Sequence, residues 1–291
     1  MNKQSSRRRK RPCGATVSTI QRFNALSNFR VNLAYDGTAY AGWQVQPNGL
    51  TIQEVLEKAL EKLSGQRVVA HGSGRTDAGV HAEGQVVSCQ LPTDGRRWRP
   101  KILQKALNAI LPHDIRVLRV ASVPPKFHAR FSAKRKTYRY QVYCGRVMNP
   151  FMRRYALHHP KPLDLAAMRR AAKLFVGKKN FAALSANPQR AVESTVRRVT
   201  RCSVQHDGMM ILIRVTADGF LYKMARTIAG ALIKVGQGEV TLDELRSYWR
   251  DGRRTSLIET APAHGLILEK VTYGRVAANS RQAARERRPR L

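Results

Sequence analysis

The chain has 291 residues, 43% of them hydrophobic, enough for one large or two ordinary domains with a real core. Lysine and arginine number 53 against 19 aspartates and glutamates, a net charge of +34 that calls for a polyanionic partner, nucleic acid first. No run of eighteen apolar residues, no apolar signal core and no metal-ligand spacing among Cys13, Cys89, Cys144 and Cys202 is present, which argues against a membrane span, secretion and structural zinc.

Residues 1–28 hold only basic charge and are expected to be a disordered, RNA-contacting arm of a cytoplasmic protein, with an organellar transit peptide as the other reading. Residues 275–291 carry six arginines against Glu286 and are expected to be a second such tail. The ends do not explain the charge, because +21 remains on residues 31–274. The cysteines fit a reducing compartment, the last three as core residues.

Phe29, Val31, Leu33 and Tyr35 alternate as in a half-buried strand. Residues 36–49 form a loop rich in Gly, Tyr, Trp and Gln, either a plain connection or a platform on which Tyr and Trp stack against bases while Gln44 reads an edge. Thr51 and Glu54 then make a capping box. Ile52, Leu56, Leu60 and Leu63 keep helical spacing as far as Gly65. Strands are expected over residues 67–71 and 84–91, a helix from Pro100 to Leu111, and a strand from Ile115 to Val123.

Residues 126–139 interleave six cations with Phe127, His128, Phe131 and Tyr138, which suits either an RNA surface or a solvated edge strand. The strand from Thr137 to Cys144 puts Tyr138, Tyr140 and Val142 on one face, and residues 145–162 read as a linker. The second half holds a helix over 163–176 and a hairpin around Asp207-Gly208. A helix over 220–235, a helix over 242–249 and a strand over 265–273 complete it. On the 220–235 helix, Lys223, Arg226, Gly230 and Lys234 share a face suited to phosphate or to solvent. The order predicts an α+β protein of two halves, residues 29–145 and 146–274, with mainly antiparallel sheets.

Between two of these strands lies His71-Gly-Ser-Gly-Arg-Thr-Asp-Ala-Gly-Val-His-Ala82, where Gly72, Gly74 and Gly79 surround Arg75 and Asp77. Glycine allows close backbone approach to a ligand, and Thr76-Asp77-Ala78-Gly79 suits a tight turn. The turn pattern alone leaves two readings, a plain Asx-turn and a nucleophilic or acid–base carboxylate. Gly72-x-Gly74 is too little for a dinucleotide site. From the residues, nucleic-acid binding is favoured and catalysis is open.

The segment Gly74-Arg-Thr-Asp-Ala-Gly-Val-His-Ala82 resembles the signature of the tRNA pseudouridine synthase A family. So do Tyr35-Asp-Gly-Thr with Tyr40, Gly42-Trp-Gln44 and Thr51-Ile-Gln53, then Phe127-His-Ala-Arg-Phe131, Lys136-Thr-Tyr-Arg-Tyr140 and Phe220-Leu-Tyr-Lys-Met-Ala-Arg226, and finally Gly265-Leu-Ile-Leu268. The blocks run in family order from about residue 29 to 273. Ala225 departs from the family's more usual valine. The resemblance implies ferredoxin-like (RRM-like) halves joined around a central catalytic cleft. It implies an isomerase that makes pseudouridine at positions 38, 39 and 40 of the tRNA anticodon stem-loop, with no cofactor and no metal, usually as a homodimer. Asp77 matches the catalytic aspartate, acting at C1′ as nucleophile or at C2′ as base. Arg75 would keep Asp77 ionised and fill the space of the flipped uridine. Tyr138 would pack on the uracil, Arg226 would pair with Asp77, and Thr76 and Gln44 would contact substrate.

Overall fold

The computed structural model describes residues 26–93, 98–186, 193–251 and 259–274. The tail at 275–291 and all but the last three residues of the N-terminal arm lie outside them. In chain order the elements are β1 (Leu26–Tyr35), α1 (Ile52–Ser64), β2 (His71–Gly72), β3 (His81–Pro92), α2 (Pro100–Ile110), β4 (Ile115–Ser122) and β5 (Ala133–Tyr143). Then come β6 (Leu157–His158), α3 (Leu165–Leu174), β7 (Gly177–Asn180), β8 (Val196–Asp207), β9 (Met210–Ala217), α4 (Met224–Gly236), α5 (Leu242–Asp251) and β10 (Leu266–Tyr273).

The strands form a single sheet in the order β4-β1-β3-β10-β5-β9-β8-β7, with β2 on β3 and β6 on β5. Its pairings are antiparallel except β10 with β3 and β6 with β5. The chain is thus α+β and mainly antiparallel, as expected. The strand order does not follow the division at residue 145, because β5, from before it, pairs with β9 and β10, from after it. β10 returns from the chain end to join the two groups of strands. It meets β3 only at Ile267↔His81 and Leu268↔Ala82, where β3 begins. The residues just before His81 therefore sit at the seam.

One core underlies the sheet. Phe29, Val31, Leu33 and Tyr35 of β1, Tyr138, Tyr140 and Val142 of β5, and Ile211, Ile213 and Val215 of β9 are buried in it. Ile52, Leu56 and Leu60 of α1, Leu103 and Leu107 of α2, Met168 of α3 and most of α4 pack into the same core. β3 also buries Val86 with Phe127 and Ala129 in a small second cluster. Both faces of β3 are covered, so Gln85 to Cys89 are buried in succession rather than alternately.

Several boundaries differ from expectation for local reasons. β1 starts at Leu26, inside the expected arm, because the Asn28 amide donates to Pro124 O at 2.9 Å and Phe127 O at 3.0 Å. Residues 67–70 are not a strand, since the Ala70 N–H donates to Glu57 Oε1 of α1 at 2.8 Å instead of to a neighbouring strand. Thr51 caps α1, accepting from Glu54 N at 3.3 Å, but Glu54 Oε1 pairs with Lys58 at 2.6 Å rather than closing the box. α3 begins only after Leu163, because Asp164 caps it. β7, an edge strand of sequence GKKN, has no apolar alternation to betray it. α4 starts at Met224 rather than Phe220, because Lys223 takes a left-handed φ of 58°. Residues 145–162 are no free linker, as they supply β6, and Tyr155 O accepts from the Gln141 amide at 2.7 Å. Cys89 is buried, and Cys144 and Cys202 pack against the core. No described helix is long and apolar enough to cross a membrane.

Candidate active site

The loop from Ser73 to Val80 joins β2 to β3 at the seam of the sheet. It is tied down on both sides by buried polar groups. Gln85, fully buried at the start of β3, accepts from Ser73 Oγ at 2.6 Å and donates to Gly74 O at 2.9 Å. Thr76 Oγ1 shares a hydrogen bond with Tyr35 Oη of β1 at 2.9 Å, and Thr76 O accepts from Trp43 N at 3.0 Å. Gly42 lets the 36–49 loop come this close: its φ is +93°, and a Cβ there would lie 2.5 Å from Thr76 O. The expected turn forms one residue later. The Val80 N–H donates to Asp77 O at 3.1 Å, and Gly79 takes a φ of +74° at its third position. The backbone closes the turn, so the Asp77 carboxylate can point elsewhere.

It points at α4. Arg226 Nη1 donates to Asp77 Oδ2 at 3.0 Å, with the two side chains only 13% and 23% exposed. A charge-assisted pair in such partial burial is stronger and less screened than a surface pair. The guanidinium is aimed by the segment that carries Ala261, since Arg226 Nε donates to Ala261 O at 2.7 Å and the Ala261 N–H returns to Arg226 O at 3.2 Å. That segment lies flat on α4 because residue 230 is glycine: a Cβ would sit 2.1 Å from Glu259 O.

Tyr138, on β5 between Leu268 and Val215, is buried and packs edge-on against Phe220 with centroids 4.9 Å apart. Burial pushes its hydroxyl well above the ordinary tyrosine range, and the neighbouring Tyr35 and Asp77 charges push it further. Tyr138 is therefore a neutral phenol at neutral pH. Tyr35 is likewise raised to about 12 by burial, its bonds to Thr76 and Gln85 partly offsetting the rise.

Asp77, Arg226 and Tyr138 thus come together from a loop, a helix and a strand. Arg75 is exposed on the same loop, and Arg226 makes an ion pair with Asp77. The Thr76 side chain faces inward to Tyr35 and supports the loop rather than facing a ligand. Gln44 is exposed, next to Trp43, at the edge of the loop. Tyr40 and Trp43 do not form the exposed aromatic platform that is one of the two readings of the 36–49 loop. Trp43 is 3% exposed and covers Gly72, and Tyr40, 6% exposed, donates to Asp114 Oδ1 at 2.8 Å; both belong to the core.

The basic stretch 126–139 is divided in the same way. Phe127 is buried and Phe131 is 76% exposed. Arg139 pairs with Glu83 at 2.5 Å and Glu269 at 3.6 Å. On the α4 face read as suited to phosphate or solvent, Lys234 bonds Glu239 and Arg226 pairs with Asp77. The sequence pattern did not reveal Tyr35, Gln85 or a group behind the loop, in which Asp36 lies 3.1 Å from His81 Nδ1 and accepts from Tyr155 Oη at 2.8 Å. Gln85, an amide inside an apolar strand, was the available signal. Among the described residues no three His, Cys, Asp or Glu side chains are grouped as metal ligands.

A carboxylate at a loop tip, held by one guanidinium and flanked by a buried neutral phenol, is equipped to attack a carbon or take a proton and to leave again. The chain matches a family model described as tRNA pseudouridine synthase over residues 33–132 and 171–274. It is 41% identical over 249 residues to "tRNA pseudouridine synthase A" of Methylacidiphilum infernorum, covering 86% of this chain and 96% of that one. It is 43% identical over 252 residues to the protein of the same name from Moorella thermoacetica, covering 84% and 98%, and 37% identical over 257 residues to that of Thermodesulfovibrio yellowstonii, covering 84% and 99%. Matches of this extent, spanning the loop of Asp77 and the helix of Arg226, identify the chain as a member of the tRNA pseudouridine synthase family.

Proposed function

We propose that the protein isomerises uridine to pseudouridine in tRNA, at positions 38, 39 and 40 of the anticodon stem-loop, with Asp77 as the catalytic carboxylate. The observation that carries the reading is the Asp77–Arg226 pair beside Tyr138 in a chain of this family. The reacting atoms of a stacked uridine are out of reach, so the nucleotide must leave the stem. Arg75, exposed near the loop tip, fills the space it vacates.

Asp77 then attacks C1′ or removes a proton from C2′; both routes break the C1′–N1 bond. The freed uracil turns and C5 bonds to C1′, as the Asp77–C1′ bond breaks on the first route or as C2′ regains its proton from Asp77 on the second; the C5 proton departs and N1 takes one up, so the product is an isomer of the substrate. Tyr138 packs on the uracil during the turn, and its neutral hydroxyl acts as a hydrogen-bond donor rather than as a phenolate base. Arg226 holds the carboxylate in the aimed position the step needs. Gln44 contacts the RNA at the edge of the loop.

The basic body binds the tRNA backbone, giving salt-sensitive affinity. The reading implies a homodimer, for which exposed Val147 and Phe151 offer apolar surface, and a cytoplasmic location, with which the free thiols of Cys89, Cys144 and Cys202 agree. Carbodiimide treatment followed by primer extension on unmodified tRNA tests the activity. Wild type is expected to produce stops in the anticodon stem-loop and Asp77→Ala none. No stops with wild type would leave a protein that binds RNA without modifying it.

A further inference from the structure

Lys136 lies beside the candidate catalytic loop, and two further cations, Arg130 and Arg197, stand within electrostatic reach of it. The Lys136 amine lies against Gly74, so that a Cβ on residue 74 would come within 3.1 Å of Nζ. The charges that act on this amine are those of Arg130 and Arg197. Arg197 is fixed by bonds from Nη1 to Ser194 O at 2.8 Å and Val196 O at 2.7 Å, and its Nε lies against Gly219. Arg130 is exposed and stands over the Phe131 ring at 5.5 Å. Among the described residues none of the three is in an ion pair, whereas Arg139, Arg214, Arg226 and Lys234 all are.

A half-buried ammonium faced by two guanidinium groups is an unfavourable arrangement on its own. Burial, then Arg130 and Arg197, push its pKa down to about 8. An anion placed among the three reverses each of these repulsions. The three groups suit a phosphodiester: arginine offers paired donors to two of its oxygens and lysine a point charge to a third position. The place suits one too. Gly74 lies three residues before Asp77, and Lys136 is the same-face neighbour of Tyr138 along β5, roughly 7 Å away at strand spacing. That separation is on the scale of one nucleotide, from its base to its own backbone.

We infer that Lys136, Arg130 and Arg197 form a binding site for the backbone phosphate next to the flipped uridine of the RNA substrate. This rests on the uridine-isomerase reading above.

Affinity of the full-length protein for an unmodified anticodon stem-loop, measured across a salt series, tests the site. Losing one single-strand phosphate contact lowers the slope of log Kd against log salt by about 0.7, which is about fivefold in affinity at 0.1 M salt. Lys136→Gln is expected to show both effects. Arg130→Gln, a change at an exposed position that leaves folding alone, is expected to show them too, and Lys136→Arg to keep wild-type values. Replacing the phosphates flanking the target uridine by methylphosphonate, one at a time, should weaken wild type by the same factor at one position. At that position Lys136→Gln should weaken no further, because one contact cannot be lost twice. The site is refuted if Lys136→Gln and Arg130→Gln leave slope and affinity unchanged. It is equally refuted if the methylphosphonate and Lys136→Gln losses add at every position, or if Lys136→Arg loses turnover at saturating RNA with affinity intact, as a catalytic amine would. Binding constants decide the phosphate site whether or not turnover occurs, so absence of pseudouridine in wild-type reactions would remove only the isomerase reading.

Discussion

Arg226 Nη1 reaches Asp77 Oδ2 at 3.0 Å across 149 residues of chain. The guanidinium is also anchored by Nε to Ala261 O at 2.7 Å, so it spends one edge on position and another on the carboxylate. A lysine has no such fork. Arg226→Met is expected to lower kcat by about 10²–10³, the usual loss for one aimed electrostatic partner. Arg226→Lys should recover only part of it. Single-turnover pseudouridine formation at saturating tRNA measures both, and equal rates for Lys and Arg would show that a point charge suffices.

The buried bond between Thr76 Oγ1 and Tyr35 Oη is a support of the loop. Thr76→Val should destabilise the fold by about 1–3 kcal/mol, since it leaves a buried hydroxyl short of a partner. Adding Tyr35→Phe should restore much of the loss, because both polar ends are then gone. Urea denaturation of the four proteins in the cycle gives the coupling, and simple additivity of the two changes would contradict it.

Two glycines near the loop are expected to differ in their tolerance. Gly79→Ala meets only the Ala263 methyl at 3.4 Å, so the left-handed φ of +74° is the main penalty, about 1 kcal/mol. Gly230→Ala would put a methyl 2.1 Å from Glu259 O and must lift the segment that carries Ala261 O away from α4. Arg226 then loses its anchor. Gly230→Ala should reduce turnover much as Arg226→Lys does, and should cost more stability than Gly79→Ala in the same denaturation assay.

Asp36 supplies a pH dependence of stability. Burial is the largest single influence and pushes its pKa up. The Thr38 hydroxyl and N–H, the Tyr155 hydroxyl and His81 together outweigh it and leave the carboxyl below its ordinary 3.8. A folded pKa below the unfolded one contributes stability above pH 3.8 that disappears as the pH falls through the folded value. The Tm advantage of wild type over Asp36→Asn should therefore be full near neutrality, at about pH 6, and should shrink steadily below the carboxylate range. Thermal melts of both proteins across that range check it, and a constant difference would mean that Asp36 is held by shape rather than by charge.

The sequence by itself determined most of the elements, because period-2 and period-3.6 apolar patterns, Thr51 and Gly65 at the ends of α1, and Asp207-Gly208 in the hairpin are local physics. It also marked Asp77 as a candidate from the Gly-rich turn, but joined it to Arg226 and Tyr138 only through resemblance, since no local rule connects a loop, a helix and a strand so far apart. Where signals were weak or polar it failed: Asn28 inside β1, the GKKN edge strand, and the left-handed Lys223 that shortens α4. Tertiary structure alone decided which aromatics and cations are free to act. Trp43 and Tyr40 read like a base-stacking surface and are core; Arg139 reads like a phosphate ligand and is paired with Glu83 and Glu269. A side chain's exposure and charge partners depend on which strands lie side by side. Here that is settled by β10, which returns from the far end of the chain to join β3 to β5 and so brings the loop of Asp77 beneath the helix of Arg226.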